Sequence, residues 1–140
     1  MATQAAVLAK RKALNWMQTN TVALGPEARF LIQQLFQTLA QIRGNPDLEF
    51  VPLANTSTTD QVVLGAAGTL YALVLKGEAS GGDFRSADHA SSANSPTTTI
   101  PLAVGEILVH TTPAGKAFAN GLTVDFSASN AGSGFAIVGA

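Results

Sequence analysis

The stretch Thr69-Leu70-Tyr71-Ala72-Leu73-Val74-Leu75-Lys76 decides the fold. Successive side chains of a β-strand point to opposite faces. With that period, Leu70, Ala72 and Val74 share one face, and Tyr71, Leu73 and Leu75 share the other. A strand with one face in water alternates apolar and polar residues. Here both faces are apolar, so this strand is expected in the centre of a sandwich or under a neighbouring subunit.

The same short period extends from Leu48 to the C-terminal end. Candidate strands are 48–53, 61–66, 69–76, 98–104, 106–112, 122–128 and 134–139. Turn residues separate them: Asn55 to Asp60, Gly77 to Ser95, Pro113 to Gly115, Asn120-Gly121, and Asn130 to Gly134. Asn120-Gly121 is the best hairpin signal, because both residues tolerate the positive φ of a type I′ turn. After it, Leu122, Val124 and Phe126 alternate with Thr123, Asp125 and Ser127, which predicts one buried and one wet face. Residues 77–97 are the most irregular stretch and are expected to form a long surface loop. Six or seven short strands in roughly ninety residues indicate an antiparallel β-sandwich or jelly roll.

Upstream the period changes to that of a helix. Residues 4–18 place Ala6, Ala9, Ala13, Trp16 and Met17 on one face, with Thr3 as N-cap. Three alanines on that face permit close approach of another helix. Lys10, Arg11 and Lys12 point in three directions and make no single basic patch. A second helix is expected over 26–43, opened by Pro26 and Glu27 and stopped by Arg43-Gly44-Asn45-Pro46. Ala28, Leu31, Ile32, Leu35, Phe36, Leu39 and Ile42 fall within an arc of about 140°. The opposite face carries Gln33, Gln34, Gln37, Thr38 and Gln41, with Phe30 projecting from it. A neutral, hydrogen-bonding glutamine face suits contact with another protein. Phe30, Gln33, Gln37 and Gln41 are therefore candidate contact residues.

The expected fold class is α+β: two N-terminal helices followed by a small antiparallel β-sandwich or jelly-roll-like domain. Residues 1–46 form a helical anchoring or oligomerisation region, and residues 47–140 form the all-β domain. Removal of residues 1–44 is expected to leave the β domain folded. A β core of that size is marginal alone, which favours a homo-oligomer.

The composition is consistent with a core and with covered surface. Of the 140 residues, 46% are apolar and 12% charged, about half the usual charged share. The formal net charge is −1, so no global field favours nucleic acid. Residues 1–46 carry five basic side chains and one acid, while 47–140 carry three basic side chains and eight acids. There is no cysteine, so disulfides and thiolate metal sites are excluded. No leader peptide or membrane span is evident. Asn55-Thr56-Ser57 fits the glycosylation sequon, which has little meaning without a secretory signal.

The chemical motifs are absent: no P-loop, no His-Glu-x-x-His, no Gly-x-Ser-x-Gly and no EF-hand loop. His89 follows Asp88 and precedes Ser91, but a flexible loop cannot hold the geometry of a triad. His110 shares a strand face with Leu108 and reads as a partly buried strand residue or a subunit contact. Asp83, Arg85, Asp88 and His89 are candidate surface-loop residues. A divalent ion on Asp83, Asp88 and His89 has no spacing rule behind it. No catalytic, cofactor or metal site is expected. The one tryptophan, Trp16, lies in the helical region, which weakens a sugar-stacking reading of the β domain.

Gly68-Thr69-Leu70-Tyr71 opens one strand, a variable loop follows, and then come Val104-Gly105-Glu106 and Phe118-Ala119-Asn120-Gly121-Leu122-Thr123-Val124. A last strand ends at Val138. In this order residues 61–140 resemble small β domains of tailed-bacteriophage virion proteins of the head-decoration and head-fibre kind. An acidic Asp-Gly-Thr segment after the second strand is replaced here by the Ser-rich loop, and residues 1–44 lie outside the resemblance. The resemblance implies a non-enzymatic homo-oligomer, often a trimer, located in a virion assembled in the host cytoplasm, where it binds the major capsid protein or another virion protein. It implies no cofactor, nucleic acid or membrane. The alternatives are an adhesion or carbohydrate-binding module using the 77–97 loop, and a tail or connector component.

Overall fold

The structure, a computed structural model, describes residues 4–20, 26–41, 48–53, 61–78, 81–89, 98–127 and 132–139. Helix α1 is Gln4–Asn20 and α2 is Pro26–Gln41. Among the described residues eight strands follow: β1 Glu49–Leu53, β2 Gln61–Leu64, β3 Gly68–Gly77, β4 Gly82–Ala87, β5 Thr98–Leu102, β6 Ile107–Phe118, β7 Leu122–Phe126 and β8 Gly132–Gly139. The chain is thus α+β, with two helices preceding a small antiparallel sandwich, as the periodicities indicate. The Thr3 cap, the Arg43 to Pro46 stop and the Asn55 sequon lie outside the described residues.

One four-stranded sheet has the order β1-β8-β3-β6, and the other β2-β7-β4-β5. Four of the neighbour pairs are 1–8, 2–7, 3–6 and 4–5, the pairs made by folding an eight-stranded ribbon in half. Rolling that ribbon up adds the pairs β8–β3 and β7–β4. This is the jelly-roll arrangement. All pairs are antiparallel.

The helices lie on the β1-β8-β3-β6 sheet, which becomes the middle of three layers. The first core fills the space between the sheets and includes Leu73, Leu75, Phe84, Leu102, Val124, Phe126 and Val138. The second lies between the middle sheet and the helices, and combines Ala9, Ala13, Met17 and Leu35 with Leu48, Tyr71, Val74, Phe135 and Ile137. Ala9, Ala13 and Met17 are four residues apart, so α1 presents a narrow buried seam to the sheet, small at Ala9 and Ala13 and filled by the long Met17 side chain at its end. Trp16 meets the Phe135 ring edge-on at 5.2 Å, and Phe50 stacks on it at 4.9 Å. Asn20 closes the end of α1: its amide donates to the Trp16 carbonyl (2.9 Å), and its oxygen accepts from Lys76 Nζ of β3 (3.5 Å).

The apolar strand at 69–76 is central, as its composition demands, but its second face is covered by the chain's own helices. Its faces also differ from simple alternation. The pairing of β3 with β8 runs from Leu70 opposite Val138 to Ala72 opposite Ile137, so Tyr71 is an extra, bulged residue. Leu70, Leu73 and Leu75 consequently join the sandwich core, while Tyr71, Ala72 and Val74 join the helix-side core. Across from the bulge, β6 carries extra residues between Thr111 and Lys116. The stretch Pro113 to Gly115, expected as a turn, is therefore an irregularity inside β6. Thr112 Oγ1 donates to the Leu70 carbonyl (2.6 Å) at that point. Gly115 has φ +86°, and a Cβ there would sit 2.6 Å from Thr69 Cγ2, so glycine is required.

Three further expectations are corrected. Residues 82–87, assigned to a long loop, form β4, an internal strand between β5 and β7. Asn120-Gly121 does not close a hairpin, because β6 and β7 belong to different sheets and residues 119–121 carry the chain from one to the other. Strand β7 has no wet face: all five of its residues are buried.

Phe135→Ala is expected to cost about 3–5 kcal/mol of stability, the range for truncating a fully buried aromatic, as measured by urea unfolding. Because the second core spans helices and sheet, a chain lacking residues 1–44 would expose Tyr71, Val74, Phe135 and Ile137. Such a chain is expected to aggregate or to lose its cooperative thermal transition, in contrast to the separable β domain that the sequence pattern predicts. Circular dichroism melting and light scattering check this.

Candidate functional site

Phe30 and its neighbours are on the outer side of α2. Leu35 is fully buried, and Leu31, Ile32 and Phe36 pack against the sheet, so the helix is fixed through that face. Phe30 is 66% exposed, and Gln33 and Gln37 are exposed three and seven residues further on. These three positions lie along one side of the helix. Gln41 is the last residue of α2, and its side chain lies outside the described set. The proposed contact face is therefore a neutral strip with one large aromatic, mounted on a helix anchored by its other side.

The residues assigned to the long loop separate into two groups. Asp83 and Arg85 are in β4, where Arg85 is directly opposite Asp125 of β7. Arg85 Nε donates to Asp125 Oδ1 (2.8 Å) and Nη2 to Oδ2 (2.7 Å), a bidentate pair. The Asp125 side chain is 8% exposed and that of Arg85 35%. Asp83 and Ser127 exchange bonds as well: the Asp83 N–H donates to Ser127 Oγ (2.8 Å), and the Ser127 N–H donates to the Asp83 carbonyl (2.9 Å). These groups join β4 to β7 and are structural.

Asp88 and His89 follow β4. Asp88 Oδ1 accepts from the Asn120 N–H (3.0 Å), and the His89 carbonyl accepts from Thr123 Oγ1 (2.7 Å). Thr123 is fully buried. The 88–89 segment thus satisfies a buried hydroxyl and holds the crossing between β6 and β7. Asp83, Asp88 and His89 do not converge, and among the described residues no group of three His, Asp or Glu is placed to hold a metal ion. The Arg85–Asp125 pair has no local sequence signature, since its partners are forty residues apart.

His110 is on β6, an outer strand, opposite Leu73 of β3. Leu73 faces the sandwich core, and directly opposed residues share a face. His110 accordingly projects from the inner side of the sheet at its rim, and it is exposed there. Lys116 occupies the equivalent place opposite Leu70.

No family model, curated protein or solved structure matches the chain. Among the described residues, no helix is long and apolar enough to cross a membrane.

Arg85→Met leaves the Asp125 carboxylate buried without its counter-ion. Such a loss costs roughly 3–5 kcal/mol at a fully buried pair, and about 3 kcal/mol is expected here because Arg85 keeps a third of its side chain in water. Combining Arg85→Met with Asp125→Leu should restore most of the stability, because the unpaired charge is then gone. Urea unfolding midpoints of the two single variants and the double variant check this.

Proposed function

We propose that the chain is a structural assembly subunit of the virion-decorating kind, a capsid-decoration or head-fibre protein. It associates with copies of itself through the outer face of α2, most simply as a trimer, and the oligomer binds a shell protein. The observation that carries this reading is Phe30: a two-thirds exposed aromatic in a strip of exposed glutamines, on a helix locked to a β-sandwich by its opposite face. Aromatic anchors surrounded by uncharged polar groups are typical of the few residues that dominate protein interfaces. The jelly roll is compatible with this role, since viral shell proteins use it, but so do lectins and enzymes, and the fold does not choose among them. The adhesion alternative relied on the 77–97 loop, from which Arg85 is now withdrawn by its pairing with Asp125.

Light scattering of the full chain and of Phe30→Glu tests the reading. The wild-type chain is expected at three times the mass of one chain, and the variant at a smaller mass with an unchanged unfolding midpoint. A wild-type monomer, or an oligomer indifferent to Phe30→Glu, would move the assignment away from assembly through α2.

A further inference from the structure

Between the two sheets lies a cavity of about 190 Å³. Its walls are apolar, formed chiefly by Leu70, Leu73, Phe84, Phe118 and Val124. The lip is different. Ser86 and Thr98 come from β4 and β5, and His110 and Lys116 come from β6. Strands β5 and β6 are the last strands of their sheets and pair with β4 and β3, not with each other, so no strand pairing closes the sandwich along this side.

The register makes the polar lip a specific feature. His110 and Lys116 stand opposite Leu73 and Leu70, on the side of the sheet that faces the core. A closed sandwich would carry apolar residues at both positions. The chain instead places an imidazole and an ammonium there, and among the described residues no carboxylate lines the cavity. Lys116 Nζ is 5.5 Å from the centroid of the Phe118 ring, so its charge is held at the rim of the apolar wall. A buried apolar cavity of about 150 Å³ accommodates benzene. The volume here takes an apolar body somewhat larger than that. An apolar interior with a few polar groups at one end is the usual form of a small-molecule site.

We propose that this cavity binds a small amphipathic carboxylate. Its apolar body of about six to eight carbons lies between the sheets, and its carboxylate is held at the lip by the Lys116 ammonium and an N–H of His110. The inference does not depend on the assembly role of α2.

Octanoate is the probe, titrated into the full-length ¹⁵N,¹³C-labelled protein and followed by NMR. The expected result is saturable shifts with a dissociation constant on the order of 10⁻⁴ M. Intermolecular NOEs should run from the octanoate chain to the methyl groups of Leu73 and Val124. Lys116→Glu is expected to weaken octanoate about tenfold and to leave 1-octanol unchanged, while Lys116→Arg retains binding. Ala136→Leu, which narrows the cavity from the middle sheet, should reduce the affinity for both ligands. Absence of shifts at several millimolar octanoate, NOEs to the helix layer instead of the sandwich interior, or equal affinity in wild type and Lys116→Glu would each overturn the proposal. The NOE arm uses only the wild-type chain, so it stands even where a cavity variant folds poorly.

Discussion

Strand β3 must be apolar on both sides, and that requirement organises the molecule. It is the one strand that meets both cores while pairing along both of its edges with long strands, β8 and β6. A regular strand would assign Leu70, Ala72 and Val74 to a single side. The bulge at Tyr71 moves Leu70 into the sandwich with Leu73 and Leu75, and gives the helices Tyr71, Ala72 and Val74. The large leucines thus meet the facing sheet, and the small Ala72 lies where helices must approach closely. The extra residues of β6 near Gly115 and the Thr112 hydroxyl on the Leu70 carbonyl are the local accommodation of that shift.

Both helices and most strands were legible because their signals are local. The 3.6 period of residues 26–41 and the apolar run 69–76 need no knowledge of the rest of the chain. Strand β4 was not legible for the same reason. Gly82-Asp83-Phe84-Arg85-Ser86-Ala87 has a single large apolar residue, Phe84, in a polar stretch. What makes it a strand is its partners: Phe84 against Phe126, 5.7 Å between ring centroids, and Arg85 against Asp125. The Asn120-Gly121 signal failed through the same non-locality. Both residues tolerate a tight turn, but β7 pairs with β2 and β4, so strand order overrides the local hairpin. Likewise, a polar His110 in a strand means little until its register against Leu73 shows that it faces the interior.

The sheet edges bear on how the protein meets a partner. An outer strand offers unpaired backbone groups to any other strand. Three of the four outer strands contain proline, which has no N–H to donate: Pro52 in β1, Pro101 in β5 and Pro113 in β6. The fourth, β2, has only four residues and a register shift. These are devices against strand addition, and they leave side-chain surfaces, the α2 face among them, as the more suitable means of association.

The composition itself takes on a different meaning in three layers. A low charge content and an apolar strand were reasons to expect a covering subunit, but two cores in one short chain already consume most of the large apolar side chains. Among the described residues, the exposed large ones are Val7, Leu8, Phe30, Val62 and Val104. They are dispersed over α1, α2, β2 and the β5–β6 connection and not gathered on one element, whereas an obligate interface needs a broad apolar patch. Any association through this surface must therefore rest on a few anchoring side chains within a polar surround. Phe30 fits that requirement better than Val62 or Val104, because it is the only aromatic among them and stands on a helix whose inner face is already fixed by Leu35.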